Sequence, residues 1–552
     1  MKRFVLQIAC PFYLIIVMGC GNTAKPNSDD SAPVPQPSGP PITPKRPIAT
    51  PDPKPGSVVP SPVDLPVKAK DVSEKSKKAI AALGKLEVFV SPEMWEVDLS
   101  SAKDLDQAIK LMADLDHVYE VQLREKGTDS HLTTILKLKE LRTLKLTFNE
   151  LITDVGLENL KKLPQLRHLE LMYLKQMTPA GLANIAGLSD LERLHLVGNA
   201  LGEAGAKHLV GLRKLTVLEV GSCSFTPAAL SHFAPLTALR ELDLSNNKEL
   251  DNTCTKHLSG MTNLQRLNLS STDVGDAGLK HLSSLSNITN MNLSHTQITD
   301  AGLEHLAGMK QLAVLDISGT EVQGKGLKHL AGCKQLAALE VGSMPDFTGE
   351  GLSNLAGCPG LTTINLSWTG VTDAGLADIK KLTQLTSLDL PPYGHVTTLG
   401  GQFWRNPHPE RFSDKGLKHI GEMSNLEWLY LSGSGLTDAG LAHLSGLTKL
   451  KTLSLGVLPN IKGPGLEHLK SLKMVESLRL SETGVTDETI KHVKGLTQLK
   501  SIWLPRSAKL PALEHLKGLL ALENVYVPAS WDADALSVAK KILPKKDVNK
   551  GD

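Results

Sequence analysis

Histidine is the residue with ligand chemistry that recurs most regularly in the sequence. Eleven histidines stand at the same place in a repeated motif, each followed by an apolar residue that is usually leucine: His208, His232, His257, His281, His305, His329, His419, His443, His468, His492 and His515. Imidazole nitrogens stacked at a regular spacing would suit a row of metal sites. The position lies beside leucines that a helix should bury, however, and a ring there can hydrogen-bond to the neighbouring turn. We therefore interpret these histidines as structural, and we predict no metal site and no cofactor.

A second group of residues with binding chemistry lies where the repeats are interrupted, at 391–412. Aromatic residues form only 4% of the chain, yet they concentrate in and around this segment together with arginine. Trp, Tyr and Arg dominate binding hot spots, and long insertions in compact repeats are often functional. The candidate partner-binding residues here are Trp368, Tyr393, Phe403, Trp404, Arg405, Trp428 and Tyr430. A loop that only shields apolar side chains is the alternative interpretation.

One row of outward-facing strand residues is a further candidate surface. Up to the interruption it is mostly acidic or amide: Glu170, His195, Glu219, Asp243, Asn268, Asn292, Asp316, Glu340, Asn365 and Asp389. Beyond the interruption it continues as Tyr430, Ser454, Arg479, Trp503 and Tyr526. A carboxylate row would suit a basic or amide-rich partner, with Asp316, Glu340 and Asp389 as candidate contacts. A polar row is equally expected on any solvated sheet.

No catalytic motif accompanies these surfaces. The sequence contains no G-x-S-x-G elbow, no phosphate-binding P-loop and no H-E-x-x-H pair. The 60 basic and 58 acidic residues leave a formal net charge of +2, so there is no electrostatic case for a nucleic-acid partner. We predict a non-enzymatic protein.

The elements that must carry these residues repeat as one unit, which is clearest between Leu264 and Leu312. Apolar residues at positions one, four and six predict a short strand whose leucines point inward. The following Asp-Ala-Gly-Leu-x-His-Leu run predicts a short helix, capped by Thr299 or Asp300 and ended by Gly308. One unit cannot cover its own leucines, so the units must stack.

The repeated unit occupies most of the chain. Its first residue stands at 94, 118, 141, 166, 191, 215, 239, 264, 288, 312, 336, 361, 385, 426, 450, 475, 499 and 522. These positions predict a repeat domain of about eighteen units over 94–527, with the 391–412 segment as a loop on its rim. Parallel strands would line a concave face and short helices the convex face.

The pattern LxxLxLxxT-x-(V/I)TDAGLxHLxGLxxL resembles a leucine-rich repeat of the subtype that carries a helix. Cys223, Cys333 and Cys358 agree with the cysteine-containing repeats of F-box-type proteins and of bacterial surface repeat proteins. The resemblance implies an α/β leucine-rich-repeat solenoid, shaped as a horseshoe, that binds other proteins. Cys333 and Cys358 occupy the same position in adjacent repeats, so a disulfide is one interpretation, and we favour buried thiols.

Segments of different composition flank the repeats. Residues 1–20 are typical of an export signal, with Lys2 and Arg3 before an apolar run. Val17-Met18-Gly19-Cys20 resembles a bacterial lipobox, which implies a lipid on Cys20. A plain signal peptide is the alternative. Proline-rich residues 21–70 predict a disordered stalk, residues 71–93 an N-terminal cap, and 528–552 a C-terminal cap helix with a polar tail.

These patterns favour an exported leucine-rich-repeat lipoprotein of the cell envelope, held at the outer membrane or cell surface through the lipid on Cys20. It would bind an unidentified protein or other macromolecule through the concave face and the 391–412 loop. A self-associating envelope scaffold is one alternative. An F-box-like adaptor for protein turnover is another, although the export signal disfavours it.

Overall fold

The computed structural model describes residues 72–91, 95–390, 412–432 and 435–551. These residues contain one sheet of 20 strands. The strands are β1 Phe89–Ser91, β2 Glu96–Asp98, β3 Glu120–Arg124, β4 Thr143–Thr147, β5 His168–Met172, β6 Arg193–His195, β7 Val217–Glu219, β8 Glu241–Asp243, β9 Arg266–Asn268, β10 Asn290–Asn292, β11 Val314–Asp316, β12 Ala338–Glu340, β13 Thr363–Asn365, β14 Ser387–Asp389, β15 Trp428–Tyr430, β16 Thr452–Ser454, β17 Ser477–Arg479, β18 Ser501–Trp503, β19 Asn524–Val527 and β20 Asp547–Lys550.

Each strand pairs with the next one in the chain. β1 is antiparallel to β2, and every later pair, from β2–β3 to β19–β20, is parallel. A strand begins two residues after each of the eighteen repeat positions that the sequence marks. The predicted leucine-rich-repeat solenoid, with parallel strands on one face and short helices on the other, is therefore confirmed.

The helices lie between successive strands, and many are tighter than predicted. The α-helices are α1 Glu74–Lys85, α2 Leu105–Met112, α3 Asp129–Ile135, α4 Asp154–Leu157, α5 Pro179–Leu182, α6 Gly202–Ala206, α7 Pro227–Leu230, α8 Asp276–Leu282, α9 Asp373–Ile379, α10 Asp414–Ile420, α11 Leu510–Glu514 and α12 Ala533–Ile542. The 3₁₀ helices are Glu158–Lys162, Ala183–Ile185, Lys207–Leu209, Ser231–Phe233, Thr255–Leu258, Gly302–Leu306, Lys325–Gly332, Leu352–Gly357, Gly440–Gly446, Pro464–Ser471 and Thr489–Gly495. Three-residue segments such as Ala183–Ile185 are typical of the 3₁₀ form, whereas the eight-residue Lys325–Gly332 and Pro464–Ser471 exceed its usual length.

The repeated leucines form one continuous core. Leu264, Leu267 and Leu269 are each no more than 1% exposed. In-register pairing places Leu267 between Leu242 of the preceding layer and Met291 of the next. Burying one such side chain stabilises the fold by about 1.5–3 kcal/mol. Because each layer covers its neighbours, that stabilisation depends on the stack.

An aspartate at the start of the helical segment, as in the Asp-Ala-Gly-Leu run, connects many of the layers to the next one. Asp276 Oδ1 accepts a hydrogen bond from the backbone N–H of Thr299 at 2.8 Å, and Asp276 Oδ2 accepts one from the Thr299 hydroxyl at 2.7 Å. A Cβ atom on Gly302 would lie 2.3 Å from Asp276 Oδ1, so the glycine of the motif makes room for the carboxylate. Equivalent aspartate bonds, here called the inter-layer ladder, are made by Asp129, Asp154, Asp373 and Asp414.

The structure decides between the two residues that the sequence offers as a helix cap. Thr299 Oγ1 accepts from the N–H of Ala301 at 3.2 Å within its own layer, as a cap should. Asp300 instead accepts from the N–H groups of Gly324 and Gly326 in the following layer, at 3.0 and 2.7 Å. The two residues were alternatives in the prediction, and the structure gives them different roles.

The repeat continues across the insertion without a change of register. Asp373 accepts from the backbone N–H and the hydroxyl of Ser413, at 2.7 and 2.8 Å. Strands β14 and β15 pair in parallel, with Asp389 opposite Tyr430. The two flanking layers therefore contact each other as neighbouring layers do elsewhere.

Additional helices and strands lie at both ends of the described stack. Near the start, α1 and antiparallel β1 pack beside β2, with Leu83 of α1 fully buried. At the other end, α12 is followed by β20, whose residues Asp547–Lys550 pair with β19. The polar tail predicted at the end of 528–552 thus contains a strand. No helix in the described ranges is long and apolar enough to cross a membrane.

Candidate functional site

The sheet face presents the predicted row of outward-facing residues in register. Glu170 lies opposite His195, His195 opposite Glu219, and Glu219 opposite Asp243. Parallel in-register pairing stacks equivalent residues of successive repeats about 4.8 Å apart. The sheet therefore forms one extended surface whose chemistry changes along its length.

Many Asp and Asn residues in this row have a structural role. Asp243, Asn268, Asn292, Asp316 and Asn365 each accept a hydrogen bond from the backbone N–H of the residue two positions later, at 2.8–3.0 Å. This bond holds the chain as it turns away from the strand. This hydrogen bond alone explains why Asp and Asn recur at this position, so their recurrence does not by itself indicate a binding partner.

Two of the candidate carboxylates have further neighbours. Glu340 Oε2 accepts from the side-chain amide of Asn365 at 2.7 Å. Burial raises the pKa of Asp389 from 3.8 to about 6, and a hydrogen bond involving Ser367 opposes the shift. Burial likewise raises the pKa of Asp243. Part of this acidic row is thus held in an environment that disfavours its charge.

Aromatic residues and arginine replace the acidic row beyond the insertion. The rings of Trp503 and Tyr526 stack with centroids 4.3 Å apart and planes 7° apart. The ammonium group of Lys451 lies 5.5 Å from the centroid of the Trp428 ring. Tyr430, Ser454, Arg479, Trp503 and Tyr526 occupy consecutive strands in register. We call Trp428, Tyr430, Arg479, Trp503 and Tyr526 the aromatic surface.

The remaining aromatic candidates divide between described and undescribed residues. Trp368 follows β13, has a φ of 62° and is 42% exposed. Tyr393, Phe403, Trp404 and Arg405 lie outside the described residues, as do Cys20 and the predicted signal and stalk. The structure places Tyr430, Arg479, Trp503 and Tyr526 in the row that the sequence predicted. Trp428 stands two residues before Tyr430 on the same strand.

A compact group of ligand-bearing side chains lies at the other end of the sheet face. His168 and Glu170 of β5 and His195 of β6 offer ligand atoms that all lie within 4.8 Å of one another. His168 Nε2 is 3.0 Å from Glu170 Oε1, and His195 Nδ1 is 2.6 Å from Glu219 Oε2. Burial lowers the pKa of His168. Burial is the largest single effect on Glu170 and opposes its ionisation, but His168, His195 and Lys145 together lower the Glu170 pKa.

A stack of aromatic residues that the sequence did not predict lies on the rim of the sheet. Phe148 and Tyr173, both with positive φ, stack with centroids 4.8 Å apart, and the Arg124 guanidinium carbon lies 5.2 Å from the Phe148 centroid. Gly198 occupies the next position at φ 79°, where a Cβ would lie 2.3 Å from Tyr173 Cδ1. Aromatic residues 25 positions apart in consecutive repeats were the available signal.

The helix-face histidines and the cysteines are not part of these groups. His281 Nδ1 lies 3.0 Å from the Thr255 hydroxyl of the preceding layer, which fits the structural role we predicted. Cys223, Cys254, Cys333 and Cys358 are buried free thiols. Cys358 Sγ donates to the carbonyl oxygen of Leu330 at 3.1 Å, and burial raises its pKa to about 11. The structure agrees with the thiol interpretation of Cys333 and Cys358.

Comparison with known proteins agrees with the fold. The family described as "Leucine-rich repeat region" matches residues 117–390. No curated protein matches the chain. Similar solved structures include an internalin from Listeria monocytogenes, 20% identical with a TM-score of 0.45, where the match covers 63% of this chain and 88% of the internalin.

Two further solved structures complete the comparison. A leucine-rich-repeat protein of Leptospira interrogans is 19% identical with a TM-score of 0.48, and the match covers 81% of this chain and 98% of that protein. A plant peptide hormone receptor, solved in complex with its hormone, is 16% identical with a TM-score of 0.41, and the match covers 74% and 64%. The repeat pattern, the parallel sheet and the family match together make this chain a leucine-rich-repeat protein.

Proposed function

We propose that the chain is a non-enzymatic protein that recognises a protein partner through its sheet face. Leucine-rich-repeat folds typically serve protein binding, but function depends on the site that a particular chain carries. The observation that supports the proposal here is the aromatic surface, in which five residues of hot-spot type lie on four strands of one sheet.

The geometry of the aromatic surface favours binding. Parallel pairing places Arg479 beside Trp503, and Trp503 beside Tyr526. Because the Trp503 and Tyr526 rings are already stacked, little conformational entropy would be lost when a partner contacts them. Asp316, Glu340 and Asp389 lie on the strands before the insertion. A partner with an apolar or aromatic segment beside basic or amide groups would match both the aromatic surface and the acidic row before the insertion.

The 391–412 loop belongs to the same proposal. Tyr393, Phe403, Trp404 and Arg405 would add aromatic and guanidinium contacts next to β14 and β15, which flank the loop in the chain. Exposed Trp368 follows the strand before β14. We expect truncation of these side chains to weaken the same interaction as truncation of Trp428.

Affinity capture with paired variants tests the proposal. The chain is immobilised and exposed to extract from its native cells, and captured proteins are quantified for the wild type, for Trp503→Ala with Tyr526→Ala, and for Leu520→Ala. Leu520 is 91% exposed and lies in the turn before β19, outside the sheet face. We expect at least one captured protein to be lost by the aromatic variant and retained by the Leu520 variant. Equal capture by all three proteins would refute the assignment of the sheet face.

We also propose that the chain is exported and anchored by a lipid on Cys20. The Val17-Met18-Gly19-Cys20 sequence after an apolar run supports this. Metabolic labelling with a palmitate analogue should mark the wild type and leave Cys20→Ala unmarked. Absence of label on the wild type would refute the lipid anchor but would not affect the binding proposal.

A further inference from the structure

We propose that His168, Glu170 and His195 form a binding site for one divalent transition-metal ion, with Glu219 holding His195 in position. Among the residues that the structure describes, these three are the only group of potential ligands that converges in this way. The site lies on β5, β6 and β7, away from the aromatic surface, and it does not depend on the proposed protein partner.

The sheet itself brings the ligands together. His168 and Glu170 are two residues apart in β5, so both point from the same face of the sheet. His195 is the direct parallel partner of Glu170 in β6. Imidazole nitrogens and carboxylate oxygens bind zinc at about 2.0–2.2 Å, which separates neighbouring ligand atoms of a tetrahedral site by about 3.3–3.6 Å. The His168–Glu170 distance of 3.0 Å is slightly shorter, so the two side chains need to separate by only about 0.3–0.6 Å to hold the ion.

Glu219 prepares His195 to act as a ligand. The 2.6 Å contact between Glu219 Oε2 and His195 Nδ1 favours the tautomer with its proton on Nδ1 and a lone pair on Nε2. A carboxylate behind a metal-binding histidine is the usual arrangement in metalloproteins. Glu219 is itself 7% exposed, so its contact with His195 is shielded from water.

An unpartnered buried nitrogen provides the second, independent observation. His195 is only 6% exposed, and its Nε2 is buried without any hydrogen-bond partner. His168 Nε2 is also buried, and it lies 3.0 Å from Glu170 Oε1. Buried polar atoms are normally hydrogen-bonded. A bound cation would supply the missing partner of His195 Nε2 and would also contact His168 Nε2 and Glu170.

The surrounding charges permit a cation and leave it accessible. Lys145 and Arg193 are the nearby cationic groups, and Lys145 is paired with Glu120 at 2.5 Å. Glu170, Glu219 and Asp243 contribute carboxyl groups along the same row. The side chains of His168 and Glu170 are 18% and 20% exposed, so water or a partner group can reach the remaining coordination positions.

Zinc titration of the full-length chain tests the site. Zn²⁺ is added in competition with a chromophoric chelator, and Co²⁺ is added separately to record its visible ligand-field absorption. The variants are His168→Gln, His195→Gln and Glu219→Gln, with His305→Gln on the helix face as the matched control. Circular dichroism establishes that each variant is folded. His168 is partly exposed, so its variant remains informative if the buried His195 variant unfolds.

We expect the wild type and His305→Gln to bind one Zn²⁺ with equal affinity. We expect His168→Gln and His195→Gln to weaken binding by at least 10-fold, and Glu219→Gln by about 10- to 100-fold, as for other orienting carboxylates. A zinc-dependent rise in the unfolding temperature of the wild type and of His305→Gln, but not of His168→Gln, would agree. Absence of binding to the wild type, or unchanged affinity in His168→Gln, would overturn the proposal.

Discussion

The inter-layer ladder predicts a specific cost for removing a single aspartate. Asp276 accepts two hydrogen bonds from Thr299, at 2.8 and 2.7 Å. Hydrogen bonds to charged groups contribute about 1.5–3 kcal/mol each, and the partial exposure of Asp276 favours the lower end of that range. We therefore expect Asp276→Ala to lower the free energy of unfolding by about 3 kcal/mol.

The glycine that contacts this carboxylate provides a second perturbation of the same ladder. A Cβ on Gly302 would lie 2.3 Å from Asp276 Oδ1, whereas one on Gly260 would meet no atom within 4 Å. Overpacking of this kind costs about 1–3 kcal/mol, so Gly302→Ala should destabilise by that amount. Gly260→Ala is the matched control and should change stability by no more than about 0.5 kcal/mol.

Urea unfolding followed by circular dichroism measures these changes, and a double-mutant cycle tests their cause. Once Asp276 is alanine, the added Cβ at residue 302 has no carboxylate to displace. The Asp276→Ala, Gly302→Ala double variant should therefore be little less stable than Asp276→Ala alone, which gives a coupling energy of about 1 kcal/mol or more. Additive costs, or an Asp276→Ala cost below about 0.5 kcal/mol, would refute the role of the ladder.

Two further predictions concern buried ionisable groups. Because burial raises the pKa of Asp389 from 3.8 to about 6, the folded state loses stability as the pH rises from about 4 to 6, by about 2–3 kcal/mol in total. Asp389→Asn should remove this loss. In urea unfolding, the variant should be more stable than the wild type above pH 6 and equally stable below pH 4. A pH-independent effect would contradict the raised pKa of Asp389. Burial also raises the pKa of Cys223 to about 12 and of Cys358 to about 11, so both thiols should resist iodoacetamide until urea unfolds the chain, as read by mass spectrometry. A Cys333–Cys358 disulfide in the same spectra would contradict the thiol interpretation.

The repeat spacing predicted the fold because the fold of each unit is specified by residues within that unit. Period-two leucines such as Leu267 and Leu269 specify a strand, and the change to a spacing of three or four specifies the short helix after it. In-register stacking then results from the need to bury the same residues in every layer. The eighteen strand positions could therefore be read from the sequence.

Interactions between layers were harder to predict from the sequence. Asp300 lies in a position typical of a helix cap, and only the distance between layers directs its carboxylate to Gly324 and Gly326. This contact between layers cannot be read from one unit considered alone.

The proposed metal site also depends on contacts between layers that the sequence alone did not reveal. Glu170, His195 and Glu219 were recognised as one row, but His168 belongs to the neighbouring row of the same strand. From the sequence, the acidic row was predicted to be a recognition surface. Metal binding was considered only for the regularly spaced histidines of the helix face. The converging group appears only when the direction of each side chain and the contact between Glu219 and His195 are known.

The central claim is that the sheet face recognises a protein partner. Hydroxyl-radical footprinting with the captured partner tests it most directly, by comparing side-chain oxidation in the free and bound chain. We predict that the partner lowers oxidation of Trp428, Trp503 and Tyr526, and leaves Leu520 and the 47% exposed Met474 unchanged. Protection of Leu520 and Met474, with unchanged oxidation of the aromatic surface, would contradict the claim.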